Sequence, residues 1–150
     1  MGIFSTMAIS ASGMTAERLR MDVISNNIAN ANSTRTPKGG PYRRQQVLFS
    51  AVLGDTVKGY MAKSDGPAGH NPIGGGVRVV GIVEDPSPPR LVYDPDHPDA
   101  DQNGYVHMPN VNILAEMVDM LSATRAYEAN VTALSAGKAM IAKALEIGRV

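Results

Sequence analysis

Apolar positions in the last third of the chain recur at steps of four and three. The ladder reads Ile113, Met117, Met120, Thr124, Tyr127, Val131, Leu134, Lys138, Ile141, Leu145. That spacing predicts a long helix whose seam packs on another helix. Near the N-terminus, Met7, Met14, Met21 and Ile28 recur every seven residues. Ile9, Ala16 and Val23 stand two positions later, about 200° around a helix axis. The first helix is expected from Ser5 or Thr6 to Ala31, about 40 Å long. Ser5 or Thr6 suits its cap, and Asn30 or Asn32 a left-handed exit. The second is expected from Asn112 to Ile147, about 54 Å long, with Asn110 or Asn112 as cap and Gly148 at its end.

Two apolar stripes on nearly opposite sides of the first helix need two neighbours. One hairpin partner covers only one of them. A helix sandwiched in an ordinary globular core is the alternative. The insert has few large apolar side chains for a second wall, so a neighbour outside the chain is the expectation. Residues 129–137 carry no charge, and a helix without a polar side is buried all round.

All ten prolines fall between Pro37 and Pro109. Within that region Tyr42 to Val52 partly alternates, Val77 to Glu84 is rich in β-branched residues, and Arg90 to Tyr93 is bounded by prolines. These read as strands, with turns at Asp65-Gly66-Pro67 and Asn71-Pro72. The expected fold is α+β. Two long terminal α-helices, residues 1–34 and 110–150, form an antiparallel coiled-coil-like pair. They close off a small β-rich, loop-rich middle insert, residues 35–109.

Composition narrows the chemistry. The 150 residues carry zero formal net charge and no cysteine. No global field favours nucleic acid or an anionic membrane. Disulfides, thiolate metal sites and cysteine nucleophiles are excluded. No run approaches the roughly 18 apolar residues of a transmembrane helix. The N-terminus lacks the basic and continuous apolar regions of a secretory leader. The cluster Arg35, Lys38, Arg43, Arg44 has only Tyr42 as a stacking aromatic, so nucleic-acid binding is not expected.

Candidate sites are weak. Asp99, Asp101 and Asn103 followed by Gly104 match the opening of a calcium loop, but its twelfth position is Asn110, which cannot chelate through a carboxylate. A polar Asx-rich turn is the better reading. Gly74-Gly75-Gly76 lacks the Lys-Ser/Thr of a phosphate loop. His70, His97 and His107 are dispersed. No catalytic set, metal site or cofactor site is expected. Tyr127 and Lys138 read as seam residues, Lys138 with its ammonium reaching outward.

One motif remains: Ser25-Asn26-Asn27-Ile28-Ala29-Asn30-Ala31-Asn32-Ser33-Thr34. Side-chain amides late in a packed helix cap its end or bridge to neighbouring backbone. With Tyr42-Arg43-Arg44-Gln45 this stretch resembles the N-terminal signature of bacterial flagellar rod and hook (axial) proteins. Asn110-Val111-Asn112, Glu116-Met117-Val118-Asp119-Met120 and Arg125-Ala126-Tyr127-Glu128-Ala129-Asn130 resemble their C-terminal signature. The resemblance covers the whole chain. The Thr36-Pro37-Lys38-Gly39-Gly40-Pro41 stretch departs from the shorter turn of many axial proteins.

The resemblance implies a structural, non-enzymatic subunit exported through a type III apparatus without a cleaved leader. Its terminal helices would stack into a helical tube that crosses the periplasm and transmits torque. Implied partners are proximal and distal rod subunits, basal-body ring and export-gate proteins, and further copies of the chain. Residues expected at subunit contacts are Met7, Ile9, Met14, Met21, Val23 and Ile28, with Asn26, Asn27 and Asn30 at the helix end. On the second helix they are Ile113, Met117, Met120, Tyr127, Val131, Leu134, Ile141 and Leu145. Rival readings are a soluble helical adaptor that binds a partner helix, and a small metal-dependent hydrolase built on the Asp/His loop.

Overall fold

The computed structural model describes residues 3–52 and 74–148. The turns expected at Asp65-Gly66-Pro67 and Asn71-Pro72, and His70, lie outside the described residues. Six elements follow in order: α1 (Ile3–Ala29), β1 (Gln45–Ala51), β2 (Val77–Glu84), β3 (Arg90–Tyr93), β4 (Tyr105–Met108) and α2 (Ile113–Ile147). Two long terminal helices thus flank a small stranded insert, as the sequence pattern predicts.

The helix ends show their causes. Asn112 caps α2, its Oδ1 accepting from the amides of Leu114 at 3.0 Å and Ala115 at 3.4 Å. Asn110 is not the cap: its Oδ1 takes the Arg44 amide instead. Helix α1 already runs at Ile3, so Ser5 and Thr6 lie inside it rather than at its start. Its exit is not left-handed, because among the described residues only glycines have positive φ. The chain leaves through a tightened turn in which the Ala31 amide donates to the Ile28 carbonyl at 3.2 Å. Tightening the last turn satisfies a terminal carbonyl without a Cβ clash.

The insert forms two two-stranded sheets, β1–β2 and β3–β4, rather than one unit. Strand β4 is absent from the expectations above. It pairs antiparallel with β3, with Val92 opposite Val106 and Tyr93 opposite Tyr105. The connecting loop is tied by Asp101, whose Oδ1 accepts from the amides of Asn103 and Tyr105. Gly104, at φ 79°, turns the chain into β4. That is the Asx turn foreseen for this segment. Val106 is buried beneath the hairpin, while Tyr93 and Tyr105 meet edge to face on its exposed side.

The chain divides into two compact units. The first comprises Met1–Arg18, Phe49–Val80 and Thr124–Val150. Here a side chain at Gly13 would press on that of Asn130, and one at Gly137 on Met7. The two helices therefore run antiparallel and close together. On another side of α1, the Ser12 hydroxyl donates to the Ile9 carbonyl at 2.7 Å and accepts the Val77 amide at 3.1 Å. A side chain at Gly76 would collide with that hydroxyl. The insert thus supplies a second neighbour for α1, which the sequence reading assigned to another chain. A strand needs little apolar bulk for this, since one hydroxyl and one glycine make the approach. The amides of Gly75 and Val52 close this end of the β1–β2 ladder, so the glycine run is a sheet end and not an anion cradle.

The second unit comprises Leu19–Leu48 and Gly81–Ala123. Its buried apolar residues are Val23, Ile24, Ala31, Val106, Val111 and Ala123. The covered positions of α2 are Glu116, Asp119, Met120, Ala123, Thr124, Ala126, Tyr127, Asn130, Leu134, Gly137 and Ile141. Those from Glu116 through Met120, Ala123, Tyr127, Asn130, Leu134 and Gly137 to Ile141 step by four and three, in a phase only partly shared with the apolar ladder. Met120, Thr124, Tyr127, Leu134 and Ile141 of the ladder are covered. Ile113, Met117, Val131 and Leu145 are exposed. Small residues stand at Ala123 and Gly137, the most deeply covered apolar positions, where close packing leaves no room for large ones; Met120, Tyr127, Leu134 and Ile141 are half-buried between them. The uncharged stretch 129–137 is covered at Asn130, Leu134 and Gly137 and otherwise exposed within the chain.

Inward small residues and outward large ones give a test. Ala123 is fully buried and Leu121 is 61% exposed. Ala123→Leu should cost about 1–3 kcal/mol through overpacking, whereas Leu121→Ala should stay within about 0.5 kcal/mol. Urea unfolding of the isolated chain measures both; equal losses would mean that α2 is phased otherwise.

Candidate assembly surface and its polar anchor

Two polar side chains sit at the centre of the second unit. Asn27 is 1% exposed and Glu116 is fully buried. An uncompensated amide or carboxylate there would cost several kcal/mol. Neither is uncompensated. The Asn27 Nδ2 donates to the Gln45 carbonyl and to Glu116 Oε2, each at 2.9 Å. Its Oδ1 accepts from the Gln45 amide at 2.9 Å and the Tyr42 hydroxyl at 2.8 Å. The Asn27 amide therefore binds the Gln45 backbone at two points, as a neighbouring strand would. All four of its hydrogen-bond positions are filled.

The second oxygen of Glu116 accepts from Arg44 Nε at 2.6 Å. The same guanidinium reaches Asp119 at 3.3 Å, and Asp119 also faces Arg20 at 3.7 Å. The Arg44 backbone is equally engaged: its amide donates to Asn110 and its carbonyl accepts from Asp85. Helix α1, the start of β1 and the first turns of α2 thus meet at one knot. Asn26 and Asn30 lie at its rim. Asn26 donates to the Tyr42 hydroxyl at 3.2 Å, and Asn30 donates back to Asn26 at 2.9 Å. The sequence carries Tyr42, Arg44 and Gln45 in the N-terminal signature and Glu116 in the C-terminal one. It has no signal that Arg44 meets a carboxylate seventy-two positions away.

Around this knot the outward face of α2 is apolar. Ile113, Leu114, Met117, Val118 and Leu121 are all exposed, Leu114 at 75%. On a helix these positions fall within about 140° of arc. They form one stripe rather than scattered residues, and a stripe of this kind marks an interaction surface. Of the residues expected at contacts, Ile113 and Met117 lie on this stripe, with Val131 and Leu145 exposed further along α2. Met7, Ile9, Met14, Met21 and Ile28 are half-buried within the chain, and Val23 is buried.

The remaining candidates are taken up internally. Three cations of the basic cluster pair with acids of this chain: Arg35 with Asp99, Lys38 with Glu84 at 2.9 Å, and Arg44 with Glu116. Asp99 also accepts from the Thr34 hydroxyl at 2.6 Å. That bond first, and Arg35 with it, holds its carboxyl below the usual carboxylate range. Asp101 is lowered by the amides of Tyr105 and Asn103. These carboxylates anchor turns, and among the described residues no group of three potential ligands gathers for a metal ion. Nor is any described helix long and apolar enough to cross a membrane.

Comparison with known proteins agrees with this architecture. The family model described as "Flagella basal body rod protein" matches residues 7–38. "Flagellar basal body rod FlgEFG protein C-terminal" matches residues 102–147. The chain is 49% identical to the flagellar basal-body rod protein FlgC of Borreliella burgdorferi, over 98% of each chain. It is 47% identical to that of Bacillus subtilis, over 99% of this chain and 100% of the relative. To that of Salmonella typhimurium it is 38% identical, with the same coverage.

Tyr42 makes the knot testable. Burial above all, then the carboxylates of Glu116 and Glu84, raise its phenol above the ordinary value. A folded-state pKa above the unfolded one means that this contribution is whole below about pH 10 and fades as pH rises through the folded value. Tyr42→Phe should lower stability by about 1–2 kcal/mol at neutral pH. It should also flatten the alkaline loss. Unfolding midpoints from about pH 8 to about pH 11 measure this; parallel curves for parent and variant would contradict it.

Proposed function

We infer, for a chain that belongs to the FlgC family of flagellar basal-body rod proteins, that it acts by packing its terminal helices against those of neighbouring subunits. It is a structural subunit of the basal-body rod. In our reading the helices stack into a tube that crosses the periplasm and carries torque. Neighbours are proximal and distal rod subunits, further copies of the chain, and basal-body ring and export-gate proteins. Export proceeds without a cleaved leader, and the chain catalyses no reaction.

The observation that carries this reading is the inversion of α2. Its covered seam is small or polar at Glu116, Ala123, Asn130 and Gly137, while Ile113, Leu114, Met117, Val118 and Leu121 face outward. Burying each large side chain against a neighbour is worth about 1.5–3 kcal/mol. Repeated along a non-closing array, such contacts join subunits firmly enough to turn together. A helical adaptor that binds one partner helix is not favoured, because the match to rod proteins runs the length of the chain.

Leu114→Asp, Leu121→Asp and Val131→Asp alter exposed positions. Each should leave the unfolding midpoint of the isolated chain within about 0.5 kcal/mol of the parent. Each should also abolish incorporation into basal bodies and swimming. A variant with parental stability and normal motility would argue against the outward stripe as the assembly surface.

A further inference from the structure

We propose that the Asn27–Glu116 knot selects one helix register among several that the apolar pattern alone permits. The pattern is degenerate because both helices repeat every seven residues. On α1, Met7, Met14, Met21 and Ile28 are all half-buried, and on α2 so are Met120, Tyr127, Leu134 and Ile141. Sliding one helix by seven residues, about 10 Å, puts a large apolar residue wherever one stood before.

The close contacts do not break this degeneracy. In the first unit Gly13 faces Asn130 and Met7 faces Gly137. After a slip of seven, Gly13 would face Ala123 or Gly137, both small enough to admit it. One slipped register exchanges an ion pair rather than losing it. It takes Arg20 from Asp119, which it faces at 3.7 Å, and sets it in the place of Asn27, opposite Glu116. Register in such helix pairs is fixed by a polar residue that has partners in only one alignment.

Asn27 is that residue. Its amide is filled on all four sides, by Gln45 twice, Tyr42 and Glu116. Any slip withdraws the Glu116 bond. A slip in the other direction sets Asn27 against Ala123, which offers it no side-chain partner. The knot also joins α2 to the start of β1 through Arg44. Asn27 and Glu116 are thus positioning residues: they decide which residues of α1 lie beside the outward stripe of α2. This deepens the assembly reading above but stands on bonds within one chain.

The absence of native cysteine permits a direct test by disulfide trapping in the isolated, full-length chain under mild oxidation. Met7→Cys with Gly137→Cys reports the observed register. Met7→Cys with Asn130→Cys reports the slipped register that pairs Arg20 with Glu116. The parent should trap only the first pair. Asn27→Ala should raise the yield of the second pair at least about tenfold, as expected when the register-setting polar residue is lost. Adding Arg20→Ala should reverse that rise.

An Asn27→Ala chain that is helical by circular dichroism and still traps only the first pair overturns the proposal. Should that variant fail to fold, Asn27→Leu is read in the same way. It keeps the approximate volume of the amide but none of its hydrogen bonds and leaves Glu116 in place for Arg20, so trapping of only the first pair there overturns the proposal too. Neither result depends on rod assembly, so failure here leaves the assembly reading to its own test.

Discussion

A buried amide and a buried carboxylate are tolerable only when every polar atom finds a partner, and much of this fold follows from meeting that condition at Asn27 and Glu116. Asn27 stands near the end of α1, so its partners must come from elsewhere. The chain supplies them by bringing the start of β1 alongside the helix, where the Gln45 backbone takes both ends of the amide. Glu116 stands in the first turn of α2 and is neutralised by Arg44, the residue next to Gln45. One short segment, Tyr42 to Gln45, therefore ties both helices and the insert together. Removing a partner from such a site leaves an unsatisfied group in low dielectric, which costs more than the bond itself contributes.

The knot has a counterpart in the distribution of bulk. Where the helices approach closely, at Gly13 and Gly137, there is no room for large side chains. Some large residues of α2, such as Met120 and Tyr127, are half-buried, while Ile113, Leu114, Met117, Val118 and Leu121 stand exposed on its outward face. A monomer built for solubility would make the opposite choice. In our reading the polar knot and the close glycine contacts hold each unit together, and the exposed apolar surface serves contacts between subunits. On this account rigidity within the subunit and adhesion between subunits come from different residues on the same helix.

The extent to which the sequence displays this follows from the same division. Helix limits were legible at α2, where Asn112 and Gly148 bracket a proline-free run. Strands β2 and β3 were legible because β-branched runs are cut off by prolines and glycines. Strand β4 was not, since Tyr105 to Met108 is four residues long and its alternation is visible only beside β3. Its available signal was the Asp101 turn followed by Gly104. The phase of the helix seam was misleading for a physical reason. Hydrophobicity records where water is finally excluded, and in our account that includes surfaces buried only after assembly. The knot was hidden for another reason: Asn27, Arg44 and Glu116 are polar residues far apart in sequence, and no spacing rule links them.

In our reading neighbouring subunits cover the outward stripe of α2. A map of the assembled basal body, at a resolution that shows side chains, tests it most directly. The account predicts that Ile113, Leu114, Met117, Val118 and Leu121 of this chain are buried against helices of adjacent subunits, with the Asn27–Glu116 knot intact beneath them. A map in which these five side chains face solvent while the rod is held together elsewhere would contradict it.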